Sequence, residues 1–254
     1  MSKDMGIPCL GRNGEFVIIS DQHAGAESYD EVHALETRSY IKDREAKVVL
    51  NGDIIENSIV SGSAPGEKLI EQKLIPTEQM KYAVDMYKPL AKAGLILGVT
   101  RGNHEARSRR EALVDLSDIL AHSLGVPYMG HGGLLRIRHG SQVYTLGIHH
   151  GSGFSTNTWR ELDRMMALYP QADVVAAGHD HNFCTREQTS IQLTEDGEEE
   201  IRVVHQVRTG TYLKYADYAR GRMLTPTPTG SPILRFSNSK HQVIVDVNTL
   251  RWYS

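Results

Sequence analysis

The chain has 254 residues, of which 40% are hydrophobic and 23% charged, and its formal net charge is -3. This composition is typical of a globular protein with a sizeable core, and the net charge gives no support to nucleic-acid binding through a strongly basic surface. The sequence contains no run of 18 apolar residues and no apolar segment near its start, so we expect neither a membrane span nor a secretory signal.

The chain contains only two cysteines, Cys9 and Cys184, which lie far apart and form no CxxC pair. A disulfide framework is therefore not expected. This cysteine usage fits the reducing environment of the cytoplasm, which is the localisation we expect.

The first half of the chain alternates between strand-like and helix-like segments. Short apolar runs predict three buried strands, at Phe16–Ser20, Lys47–Leu50 and Leu95–Thr100. Three helices are predicted between and after them, at about Tyr29–Asp43, Thr77–Ala93 and Arg110–Leu124. The glycine-containing segment Ser58–Glu67 predicts a loop.

The second half of the chain is mostly strand-like. A hairpin is predicted at Leu134–Arg138 and Val143–Ile148, then a helix at Thr158–Leu168 and a strand at Asp173–Ala177. Later strands are predicted at Ser190–Thr194, Glu200–Val207, Ile233–Phe236 and Gln242–Val247. Alternating α and β elements followed by strands favour an α/β fold with a mixed sheet, and no linker divides the chain, so we expect one domain over residues 1–254.

Polar clusters follow five of the predicted strands, at the point where each strand ends. They are Asp21-Gln22-His23, Gly52-Asp53, Gly102-Asn103-His104-Glu105, His149-His150-Gly151 and Gly178-His179-Asp180-His181. In open α/β sheets ligands bind beyond the carboxyl ends of the strands, where these clusters can converge. Carboxylate, imidazole and amide donors suit Zn, Mn or Fe, and the number of donors suits two ions.

Each cluster taken alone has an ordinary structural interpretation. Asp21 could cap a helix, Asp53 could belong to a turn, and Asn103 could be the N-cap of the following helix. The five clusters occur together, in order and each at a strand end. This coincidence favours a metal site.

The order DxH, GD, GNHE, HG and GHxH, over residues 21 to 181, resembles the calcineurin-like metallophosphoesterase superfamily. The resemblance implies a four-layer αββα sandwich of two mixed β-sheets flanked by helices, with a dinuclear site at one edge. We expect the β-rich C-terminal tail, about residues 187–254, to complete the second sheet.

The resemblance also implies roles for individual residues. Asp21, His23 and His181 would bind one metal ion, and Asp53 would bridge it to the second. Asn103, His179 and one histidine of the pair His149 and His150 would complete the second site. His150 is preferred because the family ligand often directly precedes a glycine. Two divalent ions are implied, with Mn expected first and Zn, Fe, Ni or Mg as alternatives.

The reaction implied by the resemblance is hydrolysis of a phosphate ester by in-line attack of a metal-held hydroxide. His104 would be the family's non-ligand histidine, which protonates the leaving group or stabilises the phosphoryl charge. The stretch from His149 to Gly153, followed by a predicted helix and GHxH, resembles small phage-type members of the family. The combination of DxH with GHxH is more similar to the DNA-repair nuclease and phosphodiesterase group than to Ser/Thr protein phosphatases. In those phosphatases a GDxVDRG stretch supplies an arginine, whereas residues 52–58 here read GDIIENS.

Three functions follow as hypotheses. The first is a phosphodiesterase acting on a nucleic acid, such as DNA, or on a nucleotide. The second is a phosphomonoesterase acting on a small molecule or a protein, and the third is a metal-free interaction module on the same fold. No membrane partner is expected, and the sequence does not determine the oligomeric state.

Two groups of basic residues leave alternatives open. Arg107 and Arg109 follow His104 and could either bind a substrate phosphate or lie on a solvated helix face. The tail interleaves aromatic and basic residues in a pattern that could clamp a nucleic acid strand, although ordinary packing is the commoner explanation. These residues are Tyr212, Lys214, Tyr215, Tyr218, Arg220 and Arg222.

Overall fold

The computed structural model describes residues 6–59, 72–152, 157–193, 196–215 and 225–252. Within these ranges the chain forms five helices: α1 (Glu31–Arg44), α2 (Pro76–Lys92), α3 (Glu105–Ala112), α4 (Leu116–Leu124) and α5 (Arg160–Leu168). None of them combines the length and apolar character needed to cross a bilayer.

The described residues also form twelve strands. Up to residue 149 these are β1 (Glu15–Ile19), β2 (Lys47–Asn51), β3 (Ile96–Thr100), β4 (Gly132–His139) and β5 (Gln142–His149). In the second half they are β6 (Val174–Ala177), β7 (Thr185–Leu193), β8 (Glu199–Arg208), β9 (Thr229–Gly230), β10 (Ile233–Phe236), β11 (Val243–Asp246) and β12 (Arg251–Trp252).

The strands form two mixed five-stranded sheets, as the sequence predicts, together with a short β12-β9 pair. The first sheet has the order β11-β10-β1-β2-β3, in which β1, β2 and β3 are parallel. The second sheet has the order β4-β5-β6-β8-β7, in which β5, β6 and β8 are parallel. Parallel strands bring their carboxyl ends to one edge of each sheet.

Alternating side chains along β1 show how the layers pack. Phe16 and Ile18 face a core shared with the second sheet, where they meet residues such as Ile148. Val17 and Ile19 point the opposite way, into a core that also contains residues of α1, α2 and α4. The second sheet likewise buries its outer face against α5. The layers are therefore helices, sheet, sheet and helix, the expected four-layer α/β sandwich.

The prediction of one helix at Arg110–Leu124 is wrong, because two helices cover this segment. α3 ends at Leu113, which adopts a left-handed conformation with φ of 58°. Asp115 then caps α4 by accepting a hydrogen bond from the amide of Asp118. A side-chain cap competes with continuation of a helix, so Asp115 starts a new helix in place of extending the old one.

The C-terminal tail divides between the two sheets and does not complete the second sheet alone. β7 and β8 lie in the second sheet, whereas β10 pairs with β1 in the first sheet, with Leu234 opposite Phe16. β10 is apolar on both faces: Ile233 packs towards the helices, and Leu234 packs between the sheets. Only a position inside the sandwich buries both faces, and the edge of β1 provides one.

Three sequence predictions fall partly or wholly outside the described residues. Most of the predicted loop Ser58–Glu67 lies outside them. So does the end of the predicted strand Ser190–Thr194, and so do the tail residues Tyr218, Arg220 and Arg222.

Replacing Tyr144 by Phe should destabilise the protein by about 1–1.5 kcal/mol. Tyr144 is completely buried between the sheets, and its hydroxyl lies 2.7 Å from the carbonyl oxygen of Ser237 and 2.8 Å from that of Lys240. Urea unfolding of both proteins measures the change. Tyr169→Phe is the matched control, because the Tyr169 hydroxyl makes no hydrogen bond to the described residues. Equal effects of the two substitutions would contradict the contribution assigned to the Tyr144 hydroxyl.

Candidate metal centre

The five predicted polar clusters converge where the carboxyl ends of β1, β2, β3, β5 and β6 meet. Five of the expected ligands adopt a left-handed backbone there: Asp21 (φ 50°), His23 (φ 51°), Asp53 (φ 49°), His179 (φ 74°) and His181 (φ 56°). This conformation is unfavourable for residues other than glycine and persists only where the surrounding structure imposes it. The strained residues therefore mark the strand ends as a functional region.

Asp21, His23 and His181 form the first group of donor atoms. The Asp21 Oδ1 atom lies 3.4 Å from His181 Nε2, and His23 Nε2 lies 3.2 Å from the same nitrogen. His23 Nε2 and Asp21 Oδ1 are 4.0 Å apart. These three atoms face one another closely enough to surround a single ion.

Asp53, His150 and His179 form the second group, with Asn103 beside them. His150 Nε2 lies 3.3 Å from Asp53 Oδ2 and 3.0 Å from Asn103 Oδ1. His179 Nδ1 lies 2.7 Å from the same Asn103 oxygen. The second group therefore offers two imidazole nitrogens, a carboxylate and an amide oxygen.

The Asp53 carboxylate lies between the two groups. Its Oδ2 atom is 3.9 Å from His23 Nε2 in the first group and 3.3 Å from His150 Nε2 in the second. The structure thus brings together all seven residues expected as ligands.

The geometry fits divalent ions. Donor atoms that bind a metal at roughly 2.0–2.2 Å lie about 3–3.5 Å from one another, as most donor pairs here do. Asp21 Oδ1 is buried and has no hydrogen-bond partner among the described residues, which an ion would supply. The outer nitrogens of two rings are already engaged: His23 Nδ1 lies 2.9 Å from Glu56 Oε2, and His150 Nδ1 lies 2.8 Å from the Asn51 carbonyl oxygen. Such contacts orient a histidine with its Nε2 atom towards a metal.

The charges of the group also require a cation. Burial alone would raise the pKa of Asp53, but His150 and His104 hold this pKa well below the ordinary value. Burial likewise opposes charge on His150, yet Asp53 and Asp21 raise the pKa of His150 to about 10. The carboxylates stay ionised and draw positive charge to the site, in the form of protons on histidine or of metal ions.

Two carboxylates that the sequence analysis did not single out hold the centre in place. Glu105 accepts hydrogen bonds from the amides of Asp53 (3.0 Å), Ile54 (2.7 Å) and Ile55 (3.1 Å). Complete burial, followed by the charge of Asp53, raises the pKa of Glu105 to about 7. Glu56 contacts His23 from outside the group. Glu105 belongs to the GNHE motif and was therefore visible in the sequence, whereas Glu56 carried no signal of its own.

The close approach of the Asp53 loop to the GNHE segment explains why residue 102 is a glycine. A Cβ atom at Gly102 would lie 2.1 Å from the Asp53 amide nitrogen and 2.4 Å from Glu105 Oε2. A side chain at this position would push the Asp53 loop away from Glu105.

His104 lies beside both groups and has a different set of contacts. Its Nδ1 atom donates to the Glu56 carbonyl oxygen at 2.7 Å, and its Nε2 atom accepts from Arg107 at 2.7 Å. The same Nε2 atom is 3.8 Å from Asp53 Oδ2. His104 therefore reaches the centre without joining the second donor group.

The two arginines proposed as substrate ligands lie in different surroundings. Arg107 contacts His104 and also donates to the Glu56 carbonyl oxygen at 3.0 Å. The side chain of Arg109 is 55% exposed and lies 3.7 Å from Asp115, so the structure places it on the solvated face of α3. Of the two, only Arg107 is brought to the centre.

Two further candidates lie outside the centre. His149 accepts a hydrogen bond from the Gly151 amide and stacks on His131, so it is His150 that joins the second group. Tyr212 of the tail is completely buried, and its hydroxyl contacts Thr37 and Ser231. It is therefore a core residue, and its ring is not available for stacking on a nucleic-acid base.

The histidine pair provides a matched test of the second group. His150→Ala should remove one donor, and the affinity for one ion should fall by more than the roughly 10–100-fold that loss of an outer hydrogen-bond partner costs. His149→Ala alters the neighbouring residue and should leave both ions bound. Metal content after dialysis against Mn²⁺ measures the difference. Loss of an ion in His149→Ala and not in His150→Ala would show that the ligand had been chosen wrongly.

Comparison with known proteins gives one family match. Residues 14–183 match the model of the calcineurin-like phosphoesterases, which covers well over half of the chain. No match was found among curated proteins.

Solved structures with a similar fold show low sequence identity. A conserved uncharacterized protein from Streptococcus pneumoniae TIGR4, described as a predicted phosphoesterase, is 16% identical over 92% of this chain and 89% of its own, with a TM-score of 0.41. Vps29 from Chaetomium thermophilum is 12% identical over 93% and 96%, with a TM-score of 0.43. A hypothetical protein from Pyrococcus horikoshii OT3 is 11% identical over 92% and 87%, with a TM-score of 0.44. These similarities are too distant to inform the function of this chain.

The family match covers all five polar clusters, and the residues of those clusters form the two donor groups. This chain belongs to the calcineurin-like phosphoesterase family and is a metallophosphoesterase, a hydrolase of phosphoric ester bonds.

Proposed function

We propose that the chain is a dinuclear-metal-dependent phosphodiesterase. The seven residues brought together at the strand ends would be its metal ligands: Asp21, His23, Asp53, Asn103, His150, His179 and His181. The observation that carries the proposal is the position of Asp53, whose carboxylate lies within 4 Å of an imidazole nitrogen in each donor group. An aspartate in this position can bridge two ions, and Mn²⁺ is our first choice among the metals that such ligands accept.

When bound, a pair of divalent ions supplies a hydroxide nucleophile at neutral pH and neutralises charge on the phosphoryl oxygens. The protein supplies the geometry. Glu56 and the Asn51 carbonyl oxygen orient His23 and His150, and Glu105 fixes the backbone on either side of Asp53. These groups are in place before substrate binds, so little reorganisation is needed during the reaction.

His104 is the residue that we assign to the leaving group. Its Nδ1 atom is fixed by the Glu56 carbonyl oxygen, which leaves Nε2 facing the centre and Arg107. When Arg107 turns from His104 to a phosphoryl oxygen, the lone pair of Nε2 becomes free to take up a proton from solvent. The resulting imidazolium would then pass that proton to the departing oxygen of the ester and return to the neutral form. A guanidinium is well suited to contact a phosphoryl group because it can form two parallel hydrogen bonds.

The positive charge beside His104 favours a phosphodiester over a phosphomonoester as the substrate. Arg107 is brought to His104, whereas Arg101 and Arg109 both pair with Asp115. A diester carries one negative charge, and a monoester at neutral pH carries close to two. Of these three arginines only Arg107 lies beside His104, and one guanidinium matches the smaller charge.

The proposed diester is DNA or a nucleotide. DxH combined with GHxH supports the nuclease and phosphodiesterase group and this substrate, and the stretch from His149 to Gly153 supports the small phage-type members of the family. The buried position of Tyr212 removes one residue of the tail pattern that would have supported a nucleic acid strand. The proposal that the substrate is DNA or a nucleotide therefore rests on the motifs and not on Tyr212.

The substrate class can be tested with two chromogenic esters at fixed pH and enzyme concentration. With added Mn²⁺, kcat/KM should be higher for bis-p-nitrophenyl phosphate than for p-nitrophenyl phosphate, and EDTA should abolish both activities. A gel assay with single- and double-stranded DNA, again with an EDTA control, tests the nuclease assignment. Hydrolysis of the monoester alone would show that the enzyme is a phosphomonoesterase. Absence of both metal binding and hydrolysis would leave the interaction module as the better hypothesis.

His104→Ala should lower kcat by roughly 10²- to 10⁴-fold, the usual contribution of a general acid, while both metal ions stay bound. Steady-state kinetics and metal analysis of the same preparation measure the two effects. His122→Ala, at an exposed histidine on α4, serves as the control and should leave kcat unchanged. A normal kcat in His104→Ala would remove His104 from the mechanism, and loss of metal would make it a ligand.

A further inference from the structure

An ion pair between Arg208, which is buried, and Glu161, which is partly exposed, lies beside the centre and takes no part in the proposed chemistry. Arg208 is the last residue of β8 and is only 2% exposed. Its Nη1 atom donates to Glu161 Oε2 at 3.0 Å, and Glu161 lies in the first turn of α5. Its Nε and Nη2 atoms donate to the Thr158 carbonyl oxygen at 3.0 and 2.7 Å.

Arg208 also contacts the loop that carries two of the proposed ligands. Its Nη1 atom donates to the Gly178 carbonyl oxygen at 3.0 Å, and its Nε atom lies 3.2 Å from Asp180 Oδ2. Gly178 and Asp180 are the chain neighbours of His179. Both His179 and His181 adopt the unfavourable left-handed backbone, so this loop needs external contacts to hold its shape.

Glu161 extends the same set of contacts to the loop after His150. Its Oε1 atom accepts a hydrogen bond from the Ser152 amide at 2.8 Å. The intervening Gly151 is packed between the two loops, because a Cβ atom there would lie 3.0 Å from both the Gly178 carbonyl oxygen and His179 Cβ. A continuous series of contacts thus joins the His150 loop to the His179 loop through Glu161 and Arg208.

Global stability is a poor explanation for this pair. Taking the charge of Arg208 out of water costs free energy that its attraction to Glu161 often fails to recover, so the pair is weak evidence for stability. The hydrogen bonds of Arg208 reach two separate segments, around Thr158 and Gly178, which suits a group that fixes distances. A lysine could not reproduce this planar, multi-donor geometry.

We propose that Arg208 and Glu161 are positioning residues that set the separation of His150 and His179, and thereby the affinity of the second donor group for its metal ion. The inference rests on the proposed function, in which each donor group binds one ion. It also predicts an asymmetry. The first group takes Asp21 and His23 from the other sheet, and the pair reaches this group only through the Asp180–His181 segment.

The test measures Mn²⁺ binding to the full chain by equilibrium dialysis, with bound metal determined by atomic spectrometry. In Arg208→Met and Glu161→Gln, one of the two binding steps should weaken by about 10- to 100-fold, the usual effect of losing an outer partner of a metal ligand. The other step should change much less. Arg208→Lys should not restore the weakened step, because a lysine ammonium cannot span both segments.

Arg202→Met is the matched control. Arg202 lies on the same strand and donates to the Ala172 carbonyl oxygen at 2.8 Å near Asp173, away from both histidine loops. This variant should bind two ions with wild-type affinity. Thermal unfolding of each metal-free variant separates altered binding from altered folding, and if Arg208→Met fails to fold, the nearly isosteric Glu161→Gln decides the question.

The outcomes distinguish the two proposals. A wild-type chain that binds fewer than two ions contradicts the proposed function, and with it this inference. A wild-type chain with two ions, together with unchanged affinities in Glu161→Gln, overturns the positioning role alone. Equal weakening of both steps would also overturn it, since a general structural effect predicts that result.

Discussion

Asp21 and Asp53 are ionised carboxylates that lie almost fully buried where two β-sheets meet, and their charge has to be compensated inside the protein. Solvent cannot do so, and the low dielectric of the interior makes an uncompensated charge costly. Much of the surrounding structure compensates the charge of these carboxylates or holds them in place. Imidazoles converge on the carboxylates, backbone amides fix the carboxylate of Glu105 behind them, and the strained loops are held by hydrogen bonds from outside. Protonated histidines or bound cations compensate these carboxylates, and cations bound there as proposed would also offset the charge of a phosphate.

The sandwich explains how such distant residues come together. The first sheet contributes Asp21, Asp53 and Asn103 from three neighbouring parallel strands, and the second contributes His150, His179 and His181 from two. β1, β2 and β6 are buried on both faces, so the end of each of these strands cannot shift without disturbing two cores. That rigidity allows left-handed backbone to persist at the ligands, since the cost of each strained residue is small beside the cost of repacking a strand.

The sequence predicted the central strands, and also which polar residues would converge at their ends, because both depend on local patterns. An apolar run followed directly by Asp or His marks a strand end, and the order of five such ends is specific. Other features depend on partners far away in the chain. Nothing around Glu56 or Arg208 indicates which loops they will contact, and the position of β10 depends on an edge that exists only once β1 has paired with β2. Arg107 and Arg109 look equivalent in sequence, and their positions around α3 decide which of them reaches His104.

Because each sheet supplies part of the centre, metal bound as proposed would cross-link the two halves of the sandwich. A ligand that binds only the folded state stabilises it by RT ln(1 + [L]/Kd), and here that energy acts across the layer of apolar side chains that separates the sheets. Metal availability would then affect the stability of the whole molecule as well as its chemistry. If the proposed ions are bound, the metal-free protein would be more exposed to unfolding and proteolysis, and its abundance in a cell would follow the supply of those ions.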